Sequence, residues 1–169
     1  EVGTIFRQAP VRVALCYPSP YHVGMSALGF QTIYREINAR AGTAAERVFL
    51  PDDVEAVQRS RVPLFTLESQ AEVSAFHALA FSVAYELELP GLFTLLELAG
   101  LPVFREQRDA RHPLVVAGGP LTFSNPEPLE PFVDLLVQGE AEDLLPLLLD
   151  GLEAGTPKQA LLEQLARVP

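Results

Sequence analysis

The stretch from Leu114 to Glu142 sets what this chain can become. Leu114-Val115-Val116-Ala117 is a short apolar run, rich in β-branched residues and too short for a helix. It stops at Gly118-Gly119-Pro120, which continues neither a strand nor a helix. After Pro126-Glu127-Pro128 a second run, Val133-Asp134-Leu135-Leu136-Val137, leads to Gly139-Glu140-Ala141-Glu142. Two buried strands therefore each finish in a glycine turn. In an open parallel sheet, ligands bind outside the carboxyl ends of the strands. Glycine turns at that edge let a flat ligand or another domain approach the backbone closely.

The chain before this stretch alternates strand and helix. Val11 to Tyr17 reads as the first strand, stopped by Pro18-Ser19-Pro20. The loop Tyr21-His22-Val23-Gly24 leads to a helix from about Met25 to Arg40, with Phe30, Ile33, Tyr34 and Ile37 at helical spacing and Gly42 at its end. Arg47-Val48-Phe49-Leu50 is a short second strand, and Pro51-Asp52-Asp53 opens a helix with acids at its N-terminus. Ser69-Gln70-Ala71-Glu72 has the capping-box pattern and predicts a short helix to about Phe76. Ala78 to Val83 is apolar on both faces, as a central parallel strand should be, and Leu92 to Leu98 is helical up to Gly100. Asp143 to Leu152 forms a helix with Pro146 in its first turn, and Thr156 caps a last helix with Pro157 at its first position.

The expected strands are residues 11–17, 46–50, 78–83, 114–118 and 134–138. Their alternation with helices gives one three-layer α/β domain spanning residues 1–169. Its doubly wound sheet has five parallel strands in the flavodoxin-like order 2-1-3-4-5, with a crevice between the first and third strands. A strict Rossmann order is the alternative.

Composition narrows the function. A net charge of −10 argues against nucleic acid, whose phosphates need a basic face, and against an anionic membrane. No apolar run reaches the length of a membrane helix, and Glu1-Val2-Gly3-Thr4 is not a basic leader. The missing initiator Met suggests a piece cut from a longer protein. The single cysteine, Cys16, falls inside the first strand. It rules out an internal disulfide and any all-cysteine metal or iron–sulfur site, and it suggests a cytoplasmic protein.

The residues for catalysis are sparse. His77 and His112 precede the third and fourth strands, which places them at the amino edge of a parallel sheet; His22 alone falls on the ligand side. There is no H-x-x-x-H zinc pair, no G-x-S-x-G elbow and no glycine-rich phosphate fingerprint. Glu140 and Glu142 open a helix, where carboxylates stabilise the N-terminus without chemistry. The expected catalytic set is none and the expected metal site is none: the residues suggest binding.

Several motifs then carry a resemblance. Val116-Ala117-Gly118-Gly119-Pro120, Asn125-Pro126-Glu127, Asp134 and Gly139-Glu140-Ala141-Glu142 resemble the end of the cobalamin-binding-type domain that precedes many radical S-adenosylmethionine (SAM) enzymes. Ala141 replaces the second glycine of the family's last motif. Tyr21 to Gln31, Ala45 to Phe49, Pro63 to Ser69 and Phe81 to Leu87 resemble the amino-terminal region of a group of large bacterial radical SAM proteins. The likeness covers about residues 11 to 150. It implies a cobalamin-binding-like domain attached to a C-terminal radical SAM barrel, its partner, which would carry the [4Fe-4S] cluster and S-adenosylmethionine. It also implies cofactor-binding residues at Tyr21, Gly24, Ser82, Gly118, Gly119, Pro120, Gly139 and Glu140, with the nucleotide tail of cobalamin in the slot between the first and third strands. The cobalt-ligating pattern D-x-H-x-x-G is not kept: no aspartate stands two residues before His22, and Gly24 comes one residue early.

The resemblance leaves two readings. In one the domain holds cobalamin for the barrel or positions its substrate. In the other it is a degenerate interaction module whose slot is filled by Tyr21, Tyr85 and Leu87. Either way, ligand-side loops with an apolar patch at Tyr21, Met25 and Tyr85 are expected, through which the isolated piece could form a homodimer.

Overall fold

The computed structural model of the chain describes residues 4–139 and 141–168. β1 (Val11–Tyr17), β2 (Thr43–Phe49), β3 (Ala78–Ser82), β4 (Leu114–Gly118) and β5 (Leu135–Leu136) form one sheet in the order β2-β1-β3-β4-β5. Every neighbouring pair is parallel. The fold is therefore the expected three-layer α/β arrangement with its flavodoxin-like order. β2 starts earlier than expected because the small pair Ala44-Ala45 still registers with β1, and the Asn38 side chain brackets Ala45 by hydrogen bonds to its carbonyl and amide. β5 is shorter than expected, although backbone bonds from Asp134 and Val137 to the carbonyls of Val115 and Ala117 extend its alignment with β4.

Two helical layers cover the sheet. α1 (Tyr21–Gly24) is a single turn, and α2 (Leu28–Ala39) is separate from it. The expected continuous helix from Met25 breaks because Ala27 is extended; the Gln31 side-chain amide then donates to the Met25 carbonyl, 2.6 Å away. α3 (Val54–Ser60) is capped by Asp53, whose carboxylate accepts from the Ala56 amide at 2.8 Å. α4 (Leu89–Leu98) covers one face of the sheet, packing Leu92, Leu95 and Leu96 on Leu79, Phe81, Val115 and Ala117. α5 (Pro120–Ser124) is a short turn after β4. α2, α6 (Ala141–Glu153) and α7 (Lys158–Leu165) cover the other face, where Phe30, Tyr34, Ile37, Leu148, Leu149 and Leu161 meet Val13, Leu15 and Val116.

Three local expectations fail, one because a side chain found a different partner and two because a helix begins elsewhere. Ser69 does not cap a helix: its hydroxyl donates to the buried Glu46 carboxylate, and only a 3₁₀ turn forms at Val73–Ala75. Thr156 is not the cap of α7, because Pro157 takes that position with no side-chain bond. Pro146 lies in the second turn of α6 rather than the first, because the helix begins at Ala141.

The free edge of β2 is closed. The Arg47 amide donates to one Glu68 carboxylate oxygen at 2.7 Å, and the Arg47 side chain pairs with the other at 2.6 Å. The Leu67 amide donates to the Arg47 carbonyl at 2.9 Å. Leu67 and Glu68 of the following loop thus satisfy backbone groups that an edge strand leaves open. Cys16 is fully buried in β1, where burial pushes its thiol well above the ordinary range, so it packs as an apolar group.

Candidate functional site

The sheet sends alternate residues to opposite faces. On β3, Leu79 and Phe81 fill the layer under α4, while the small Ala80 and Ser82 face α2 and α6. Small side chains beneath α2 and α6 leave space. A groove of about 360 Å³ lies there. Its floor is Leu15, Ala80 and Val116, its walls are Gly29 and Ile33 of α2 and Leu144 and Leu148 of α6, and its lip is Ser82, Gly118, Gly119, Pro120 and Gly139. The volume falls in the range of small-molecule sites, roughly 300–1,000 Å³.

The lip is shaped by glycine geometry. Gly119 has φ +104°, and a Cβ there would stand 2.7 Å from the Val83 carbonyl oxygen. That oxygen accepts from the Leu121 amide at 3.1 Å, so α5 is drawn against the end of β3. Gly119 is a packing requirement as much as a ligand-side one. Gly139, at φ +109°, turns the chain from β5 toward α6. The Thr122 hydroxyl donates to the Val137 carbonyl at 2.8 Å and ties the two turns together.

Among the described residues, no charged side chain lines the groove. Thr32 and Ser82 supply its only hydroxyls, and neither makes a hydrogen bond within the described protein. The site is an apolar slot with two free hydroxyls. It suits a flat, largely uncharged ring system, and among the described residues it presents no acid or base to one. No cluster of metal-ligating side chains occurs among the described residues, nor any helix long and apolar enough to cross a membrane.

Of the residues implicated by the sequence, Ser82, Gly118, Gly119, Pro120 and Gly139 come together on this lip. Tyr21 and Gly24 do not. α1 turns toward β2, setting the Tyr21 ring edge-on to Phe49 at 5.2 Å and burying Gly24 against Tyr17 and Phe49. Glu140 lies outside the described residues. The loop crevice between β1 and β3 is shut. The buried Glu88 carboxylate accepts from the Ala84 amide at 2.7 Å and the Ser19 hydroxyl at 3.1 Å, and Gly91 packs on the Pro18 carbonyl. Burial, then the nearby Glu88 and Tyr85, raise the Tyr17 hydroxyl above its ordinary range. The opening lies instead on one face of the sheet, over β1, β3 and β4. Tyr21, Tyr85 and Leu87 are not among its lining residues, so they do not plug it. Sequence reasoning missed Gly29, Thr32 and Ala80. The signal for Ala80 was present, because small and large residues alternate along Ala78-Leu79-Ala80-Phe81-Ser82.

Residues 29–169 match the family described as radical SAM proteins, N-terminal. The chain belongs to this family. The match runs from the groove wall in α2 to the end of the chain, so it includes every element around the groove except β1. No curated protein matches this radical SAM N-terminal domain.

Proposed function

We propose that this radical SAM N-terminal domain holds cobalamin for the barrel of its parent protein, with the nucleotide tail in the groove. The observation that carries this reading is the open apolar slot over Ala80, lipped by Ser82 and the glycine turns at the carboxyl ends of β3, β4 and β5. The residues fit the group: small floor residues admit a ring, and the free Ser82 and Thr32 hydroxyls offer hydrogen bonds to it. Bound cobalamin would supply cobalt-centred chemistry to the barrel; this chain's part is to bind and orient it. His22 lies outside the groove, so the reading requires no histidine on cobalt.

Titration with hydroxocobalamin, followed by visible spectrum and calorimetry, tests it. Binding is expected for the wild type. Ala80→Leu fills the floor and abolishes binding with the fold intact, whereas His22→Ala leaves affinity and spectrum unchanged. Gly119→Leu is unsuitable as the blocking variant, because its Cβ meets the Val83 backbone before any ligand. No binding at high micromolar cobalamin, or undiminished binding by Ala80→Leu, defeats the reading and favours an interaction module without cofactor.

A further inference from the structure

The groove is not uniform along its length. β1, β3 and β4 run from the amino to the carboxyl edge of the sheet. α2 follows β1 and α6 follows β5, so both helices start at the carboxyl edge and run back. Place in the chain therefore gives place along the groove. Ser82, Gly118 and Gly139 stand at its carboxyl end, with Gly29 and Thr32 beside them in the first half of α2. Val13, Ile37 and Leu149 stand at its amino end. Both hydroxyls, Thr32 and Ser82, thus belong to the carboxyl half. Ser82 lies two residues beyond Ala80, about 6.6 Å along the strand. From Ala80 to the amino end the side chains are apolar throughout, with Leu15, Val116, Ile33, Ile37, Leu148 and Leu149 around it.

The backbone of that half is committed as well. Leu15 registers with Arg47 on one side and Ala80 on the other, Ala80 with Val116, and Val116 with Leu135. Strands flanked on both sides have their amides and carbonyls paired in the ladder. The helical walls pair theirs internally. A ring lying over Ala80 therefore meets apolar surface alone. A nitrogen or amine on its edge would give up water and gain no partner, which is a penalty that a hydrocarbon edge does not meet.

We propose that the groove selects its ligand's base by polarity. Its amino half takes a bicyclic aromatic base with a hydrocarbon edge, of the dimethylbenzimidazole class, and disfavours a purine, while Thr32 and Ser82 hold the sugar–phosphate end. This deepens the proposed function and rests on its placement of the nucleotide tail in the groove. Adenine carries an exocyclic amine and several ring nitrogens, and the amino half has no side chain to donate to them or accept from them. Two methyl groups on the same edge instead gain burial against Ile33 and Leu148. One uncompensated polar group is enough for a discrimination of about tenfold. Thr32 and Ser82 do not discriminate, because a hydroxyl both donates and accepts. Ile33 is the specificity-determining residue most open to change: it is half-buried on the α2 wall, one turn after Gly29.

Calorimetric titration of the protein with three corrinoids tests this: cobalamin, its analogue with adenine in place of dimethylbenzimidazole, and cobinamide, which lacks the nucleotide tail. Cobalamin is expected to bind about tenfold more tightly than the adenine analogue, or better, and the analogue no better than cobinamide. Ile33→Gln puts a carboxamide in the apolar half and is expected to bring the affinities for the two tailed corrinoids within about threefold of each other. Ser82→Ala is expected to weaken both alike and keep their ratio. Equal affinity of the wild type for the two bases, or a ratio unmoved by Ile33→Gln, overturns the selection and leaves the cobalamin reading standing. The tails alone, as dimethylbenzimidazole riboside and adenosine, are titrated in parallel. A preference for the first where no corrinoid binds ends the cobalamin reading and keeps the selection. Binding of none of these ligands overturns both.

Discussion

The two faces of the sheet are built from the same strands and end in opposite conditions. Under α4, Leu79, Phe81, Leu92, Leu95 and Leu96 interdigitate with almost no exposure. Under α2 and α6, Ala80 and Ser82 replace bulky neighbours, Gly29 removes a side chain from the helix wall, and a groove remains. One face is committed to stability and the other has surrendered contacts to keep a space. Free energy in a packed core is sensitive to every methylene, so the difference is expressed in what each face tolerates.

The largest effect is expected from reversing the two faces at adjacent residues. Leu79→Ala removes a buried side chain from the closed face and should cost about 3 kcal/mol, read as a shift in the urea midpoint. Ala80→Leu, one residue along, adds volume to the open face and should cost less than about 1 kcal/mol. Similar losses at the two positions would show that the groove face is packed as tightly as the other.

An intermediate effect concerns pH. Glu46 lies in the β2 region with its side chain nearly buried. Burial by itself raises its carboxyl pKa, but hydrogen bonds from Ser69, Thr66 and Arg12 outweigh it and hold the pKa below the ordinary value. A carboxyl lowered on folding adds stability above its unfolded pKa of about 4.3, and this contribution is lost as pH falls through the lower folded value. The stability difference between wild type and Glu46→Gln should therefore shrink as pH drops below about 4. Groove variants such as Ala80→Leu should show the wild-type acid profile. Thermal melts across the acid range separate the two outcomes.

The smallest effect is expected at the groove wall. Gly29 is helical without positive φ, and a Cβ there would have no atom within 4 Å. Gly29→Ala should add about 0.8 kcal/mol through helix propensity and raise Tm by roughly 2 °C. A fall in Tm would mean that the wall is already close-packed.

Much of the sheet was legible because most strands hold a short apolar run, and several end at glycine or proline, as at Tyr17-Pro18 and Gly118-Gly119-Pro120. The lip of the groove was legible for the same reason, since a turn after a parallel strand must fall at the carboxyl edge. The rest depends on contacts far apart in the chain. Ser69 has the spacing of a helix cap, but Glu46, distant in sequence, captures its hydroxyl. Tyr21 and Gly24 occupy a ligand-side loop by order, yet Phe49 draws that loop toward β2. The face on which the groove opens was written in the alternation of small and large residues along β3. It gains meaning only once α2 and α6 are known to lie over the small ones.

The Glu68 carboxylate on the Arg47 amide has a consequence for assembly. A sheet grows by offering unpaired backbone to another strand, and at β2 that backbone is already taken by a side chain of the same chain. At the far side, β5 provides only Leu135 and Leu136, too short a template for a neighbour. Lateral extension, the route to strand exchange and fibrils, is blunted on both sides. A neighbouring protein must approach this domain end-on or across a helical layer.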